Sequence, residues 1–292
     1  MEVALQLAPT TIAGILYALR THRLAGTSRA VPGWRRACFF GGLCLIVVAF
    51  TTLGSLADDL FWAHMVEHLA IGDLGTLLLV LGLTGPVLAP VLRIGFFDRL
   101  RVLAHPLVAF PLWAVNLYLW HVPYLHEGAV RHAGVHALQH FGFVACGFNM
   151  WLALLGPLPK PAWFGNLARL AYIIAVRLTG AVLGNVFVFG GHIFFPVYAA
   201  GERAHGISPG ADQNTAGAIM MIEGSILTLV LFGWLFARTA REGEERQELL
   251  ELAAARGVEL TEARAARAVA AGRGAELRRR IESGSSPSGS PT

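Results

Sequence analysis

Charge is what this 292-residue sequence has least of: Asp, Glu, Lys and Arg make up 14% of it, against about 25% in an ordinary soluble domain. That shortage leaves too little polar surface to face water and excludes a plain cytosolic enzyme. Cysteine is scarce as well. Cys38, Cys44 and Cys146 fall in no C-x-x-C spacing, so no thiolate site is expected and all three read as small buried apolar residues. The first apolar stretch lacks a basic leader: Glu2 precedes it, Arg20 and Arg23 follow it, and no small-x-small site ends it. It reads as a retained helix rather than a cleaved signal. No internal repeat is evident.

Apolar residues fill the gap, at 55% of the chain with a mean hydropathy of +0.56. A spanning helix needs roughly 20 mostly apolar residues. Seven stretches qualify: 3–19, 36–56, 61–92, 104–122, 134–157, 168–196 and 212–237. The expected fold is therefore all-α, a multi-pass cell-membrane protein with seven transmembrane helices embedded in the lipid bilayer. The third and sixth stretches are long enough to tilt, kink or emerge past the headgroups.

Loop charges orient the chain. Arg20, Arg23, Arg29, Arg35 and Arg36 follow the first stretch, Arg93, Arg99 and Arg101 the third, Lys160 and Arg169 the fifth, and Arg238 the seventh. The alternate connections hold only Arg131 and Arg203 as basic residues. This places the N-terminus outside and the C-terminus in the cytoplasm. The formal charge of +4 and pI near 9.3 are thereby an orientation signal, and nucleic acid is not an expected partner. The seven-helix domain is expected over 1–240. Residues 241–282, rich in Ala, Glu, Arg and Leu, should form a cytoplasmic helical tail with breaks near Gly257 and Gly272–Gly274, and 283–292 a disordered end.

On this topology nine of the eleven histidines lie on the outer side; His22 and His105 are inner. His64/His68 and His136/His140 are i, i+4 pairs, each projecting from one helix face. His68, His121, His140 and His192 all fall within roughly 3–12 Å of the outer boundary. Met65 borders that layer, and Met220 and Met221 enter it from the seventh helix. Imidazole suits copper, zinc and iron, and thioether biases a site toward copper(I). Any one of these histidines also reads as an interhelical hydrogen-bonding group; the four paired ones read together as a metal or cofactor site. Glu67 is placed to orient a ligating imidazole. Deeper down, Asp73, Arg177 and Glu223 are costly intramembrane charges, open to reading as a structural pair or as an ion or proton path.

His64-Met65-Val66-Glu67-His68 fits the H-x-x-E-H pattern of inverted zinc proteases, without an evident downstream acidic ligand segment. A wider set carries more. His64-Met65-x-x-His68, Trp120-His121-x-Pro123, His136-x-x-x-His140, Phe195-Pro196-x-Tyr198 and Asp212-Gln213-x-x-x-Gly217-x-x-Met220 occur in this order. Over roughly 50–240 the chain resembles the CtaG family of cytochrome c oxidase assembly factors. The resemblance implies copper supply to an oxidase subunit carrying a copper centre, an outer-side copper donor, no catalytic activity, and function at His64, His68, His121, His136, His140 and the Asp212–Met220 segment. Three positions depart from the family: Leu69 stands where Met is frequent, and Met221 and Glu223 stand where Trp and Pro are usual. The competing readings are a haem-binding electron carrier, an intramembrane zinc hydrolase, and a copper- or proton-coupled transporter.

Overall fold

The computed structural model describes residues 2–283; the remainder of the Ser/Gly/Pro-rich end lies outside the described residues. The chain is all-helical, with no strand among the described residues. In order come α1 (Glu2–Leu24), α2 (Gly33–Asp59), α3 (Phe61–Gly82), α4 (Gly85–Leu92), α5 (Pro106–Trp120) and α6 (Pro123–Arg131). Then follow α7 (Ala133–Leu155), α8 (Asn166–Phe189), α9 (Ala199–His205), α10 (Pro209–Ala255), α11 (Glu262–Ala270) and α12 (Gly274–Glu282). Five of these, α2, α3, α7, α8 and α10, are long and apolar enough to cross a membrane; α5 is apolar but shorter. Leu16, Leu107, Phe141 and Leu167 point outward from their helices, as lipid-facing positions do in a protein that spans a bilayer several times.

The third apolar stretch, expected over 61–92 and long enough to tilt or kink, is interrupted after Gly82. Leu83 and Thr84 are extended and a new helix begins at Gly85-Pro86, because in an unbroken helix Pro86 would clash with the Gly82 carbonyl and offer it no N–H, whereas proline suits a first helical turn. Arg35 seals the exposed end, its Nη1 donating to the carbonyls of Leu81 at 2.9 Å and Leu83 at 3.0 Å. Tyr17 of α1 stacks on Phe39 of α2 with ring centroids 3.7 Å apart and donates its hydroxyl to Gly82 O at 2.9 Å. The sixth stretch is shorter than expected, α8 ending at Phe189 rather than 196, where Gly190-Gly191 interrupts it and Gly191 takes a positive φ. Cys44 is exposed and Cys38 and Cys146 half-buried, so the expectation of three buried cysteines is corrected: small apolar thiols on these helices face outward as readily as inward.

The turn at Ala70–Gly75 in α3 is a wide π-type turn, the kind that re-aims side chains at functional sites. It lies where α3 and α7 come closest. A Cβ on Gly147 would run into the carbonyl oxygen of Gly72, and one on Gly72 would reach Phe143 Cβ at 3.1 Å. The absence of side chains at both positions lets the two backbones touch, which brings the paired histidines of α3 and α7 face to face.

The chain divides into two compact units, Met1–Thr228 and Leu229–Thr292. In the second, α10 continues through the start of the expected tail to Ala255, since the Ala/Glu/Arg/Leu-rich sequence after 237 is strongly helix-forming. The turns at Gly257 and Gly272 fall where expected, both glycines having positive φ. Leu249 and Ala253 pack with Val269, Leu277 and Ile281 in a small core of this unit's own. Thr261 caps α11 through Arg264 N.

Candidate metal centre

Four imidazoles from two helices form a near-rectangle. Along the helices, His64–His68 and His136–His140 have ring centroids 4.2 Å and 4.1 Å apart, as i, i+4 spacing dictates. Across the gap, His64–His136 are 5.4 Å and His68–His140 5.6 Å apart. Phe143 lies over His68 at 4.3 Å and Phe50 over His140 at 5.1 Å, closing the lower end with apolar rings. His64 is 0% exposed, Glu67 1%, His140 4% and His68 5%, while His136 is half-buried and forms the more open corner.

The donor atoms turn inward. His64 Nδ1 lies 3.3 Å from Ala57 O, which fixes the proton on Nδ1 and leaves Nε2 with a free lone pair, the arrangement of a metal-ligating histidine. That Nε2, both ring nitrogens of His68 and of His140, His136 Nε2 and Glu67 Oε2 are buried without a hydrogen-bond partner among the described residues. Buried polar atoms are almost always satisfied, so seven such atoms on five neighbouring side chains make this cluster a candidate cation site. His64, His68 and His136 offer one donor atom each within 4.8 Å of one another, and Glu67, His136 and His140 form a second such triad. Glu67 Oε2 lies 3.6 Å from His140 Nε2; its carboxylate stands among the donors themselves rather than behind them, where the sequence had placed it.

Other residues of the expected site go elsewhere. Asp212 is fully buried, and its two carboxylate oxygens accept the backbone N–H groups of Phe61 and Trp62, both at 2.8 Å. It thus caps the N-terminus of α3 two to seven residues before the histidine pair, a use that engages both of its oxygens. Gln213 beside it donates to the carbonyls of Phe187 at 3.1 Å and His192 at 3.0 Å and accepts from Phe194 N at 2.9 Å. His192 itself lies beyond the end of α8, exposed, its ring 3.9 Å from Phe194, because α8 stops before reaching it. Met220 sits in the apolar cluster with Phe61 and Phe187, and Met221 packs over Gly184. Met65 Sδ lies 3.4 Å from His121 Nε2, to one side of the rectangle.

His126 was not among the expected residues, because the sequence put it in an outer loop. It is fully buried on α6 with its ring 4.8 Å from His64. Its Nε2 lies 2.9 Å from the Tyr198 hydroxyl and its Nδ1 3.3 Å from Trp120 O. Burial, then the neighbouring His121, pushes the His126 imidazole well below its ordinary pKa, and burial pushes the Tyr198 hydroxyl well above its own. Neutral imidazole therefore accepts the Tyr198 proton and donates to Trp120, so both nitrogens are used and His126 supports the wall of the site.

Beneath the histidines, Arg177 Nη1 donates to Asp73 Oδ2 at 2.8 Å and Nη2 to Oδ1 at 3.3 Å, with Glu223 Oε2 3.7 Å from the same Nη1. Trp151 Nε1 donates to Asp73 Oδ1 at 2.9 Å. The three intramembrane charges form one paired group.

Residues 15–242 match the family model for the cytochrome c oxidase caa3 assembly factor, Caa3_CtaG. The chain belongs to that family. A curated relative, the uncharacterized protein ML1998 of Mycobacterium leprae (strain TN), is 23% identical over 255 residues, covering 80% of this chain and 38% of the relative. The chain thus spans under two-fifths of the length of the relative it matches. No solved structure matches it.

Proposed function

We propose that this assembly factor crosses the plasma membrane seven times, N-terminus outside and C-terminus cytoplasmic, binding copper as cargo at the outer His64/His68/His136/His140/Glu67 cluster for delivery to an oxidase subunit. The five long apolar helices support the span count together with α1 and α5, the latter about 22 Å long at 1.5 Å per residue and prolonged by the turn at Leu100–Ala104. The observation that carries the cargo reading is the set of seven orphaned donor atoms. Imidazole and one carboxylate are competent ligands for copper, and the few-ligand, half-open corner at His136 suits an ion that must leave again. The role is binding and transfer, not catalysis, with an outer-side donor supplying the ion.

The imidazoles that face each other across the gap stand 5.4 and 5.6 Å apart between ring centroids, closer than two rings on opposite faces of a porphyrin-bound iron, which favours an ion over haem. The same nitrogen and oxygen donors also accept zinc, so metal identity is the point to measure. The protein purified from membranes should carry stoichiometric copper without a Soret band. A haem spectrum, or stoichiometric zinc accompanied by amide or ester hydrolysis, would overturn the reading.

A further inference from the structure

Met65 and His121 stand apart from the four-histidine cluster and pose a separate question. Met65 is 1% and His121 7% exposed. His121 Nδ1 lies 2.7 Å from Leu117 O. A carbonyl only accepts, so Nδ1 carries the proton and Nε2 of the neutral ring carries a lone pair. That lone pair faces Met65 Sδ at 3.4 Å, and a thioether has no proton to give. Rings surround it: Phe187 and Phe143 lie 5.7 Å and 6.1 Å from the His121 ring, and His126 6.0 Å. A second proton on His121 would leave a buried charge with no anionic partner among these rings, which burial disfavours. Two lone-pair-bearing atoms thus face each other in a dry pocket with no hydrogen between them.

We propose that His121 Nε2 and Met65 Sδ form a second, soft site for a monovalent copper-group cation, distinct from the nitrogen- and oxygen-lined cluster. A thioether selects Cu(I) over harder divalent ions, while imidazole with carboxylate does not. Bonds of about 2.0 Å to nitrogen and 2.3 Å to sulfur, lengths seen at zinc, bridge the 3.4 Å gap at a bend of about 105°. The three rotatable bonds of Met65 let that angle open without moving a helix. Low-coordinate Cu(I) accepts two such ligands, and binding involves no change of oxidation state. The two sites share no ligand, so the soft site stands or falls independently of the cluster.

The test is anaerobic titration of the detergent-purified full chain with Cu(I), buffered by excess colorimetric Cu(I) chelator, followed by X-ray absorption at the copper edge. The wild-type spectrum should contain a sulfur neighbour. Met65→Leu, close to volume-conserving, should lose that neighbour and one equivalent of Cu(I) while its Zn(II) stoichiometry stays unchanged. Growth with selenomethionine avoids any folding defect: the sulfur neighbour should be replaced by selenium in the otherwise intact protein. A Cu(I) spectrum of nitrogen and oxygen neighbours alone, or a Met65→Leu spectrum identical to wild type, would overturn the site. Cu(I) bound through sulfur beside an empty four-histidine cluster would instead refute the proposed cargo site and leave this one standing.

Discussion

Removing the Asp212 carboxylate should loosen the helix that carries two of the cluster's histidines without removing any donor to the metal. In Asp212→Ala the N–H groups of Phe61 and Trp62 lose both 2.8 Å acceptors, at a position with no exposed surface for water to replace them. Hydrogen bonds to a charged partner contribute about 1.5–3 kcal/mol each. The two share one carboxylate and do not add fully, so the expected loss is about 2–4 kcal/mol. Asp212→Asn should fall between: its amide oxygen keeps one N–H, and its NH2 group meets the other donor unfavourably. The assay is reversible unfolding in mixed micelles followed by the helical circular dichroism signal, with metal content measured on the folded fraction. The variant should unfold more easily while the folded fraction keeps its metal. Parent-like unfolding combined with loss of metal would show Asp212 to be a ligand and would refute the capping argument.

Further outcomes follow from the same geometry. Arg177→Met strands Asp73 and Glu223 in the membrane interior without their cation, and breaking a buried pair from one side should cost about 3–5 kcal/mol, read by the same unfolding assay. Gly147→Ala forces a methyl against the Gly72 carbonyl; it should separate α3 from α7 and lower metal affinity although no ligand changes, as an equilibrium competition with a chelator would report. Lys160 lies in the loop before α8, where burial, then Arg169, lowers its pKa from 10.5 to about 8. The folded state then binds fewer protons than the unfolded one between about pH 8 and 10.5. Stability should rise with pH across that window, and Lys160→Met should abolish the rise in a pH series of melts.

The histidine pairs were legible in the sequence because i, i+4 spacing is a local property of a helix, and helix geometry alone puts both rings on one face. Their meeting across α3 and α7 was legible only as a shared depth. The contact depends on Gly72 and Gly147, whose role is visible once the backbones are seen to touch. His192 failed for the converse reason: its placement assumed a helix continuing through Gly190-Gly191, and the helix ends there. His126 was hidden because a loop histidine says nothing about burial until α6 is folded back against α3. Asp212 carried a signal, an acid at the start of a helix, yet it caps the N-terminus of a different helix about 150 residues away in the chain. Charge alone marked Asp73, Arg177 and Glu223 as costly in hydrocarbon but left a structural pair and an ion path both open; that Arg177 pairs with Asp73 is visible only once α3 and α8 are seen together.

If the four-histidine cluster holds copper on its way to the oxidase, the copper content of the assembled oxidase depends on those imidazoles. In membranes where the only copy of this chain carries His68→Ala and His140→Ala, with α3 and α7 still folded, the oxidase should contain markedly less copper than with the parent chain. An oxidase with its full copper complement and normal activity in that background would contradict the account.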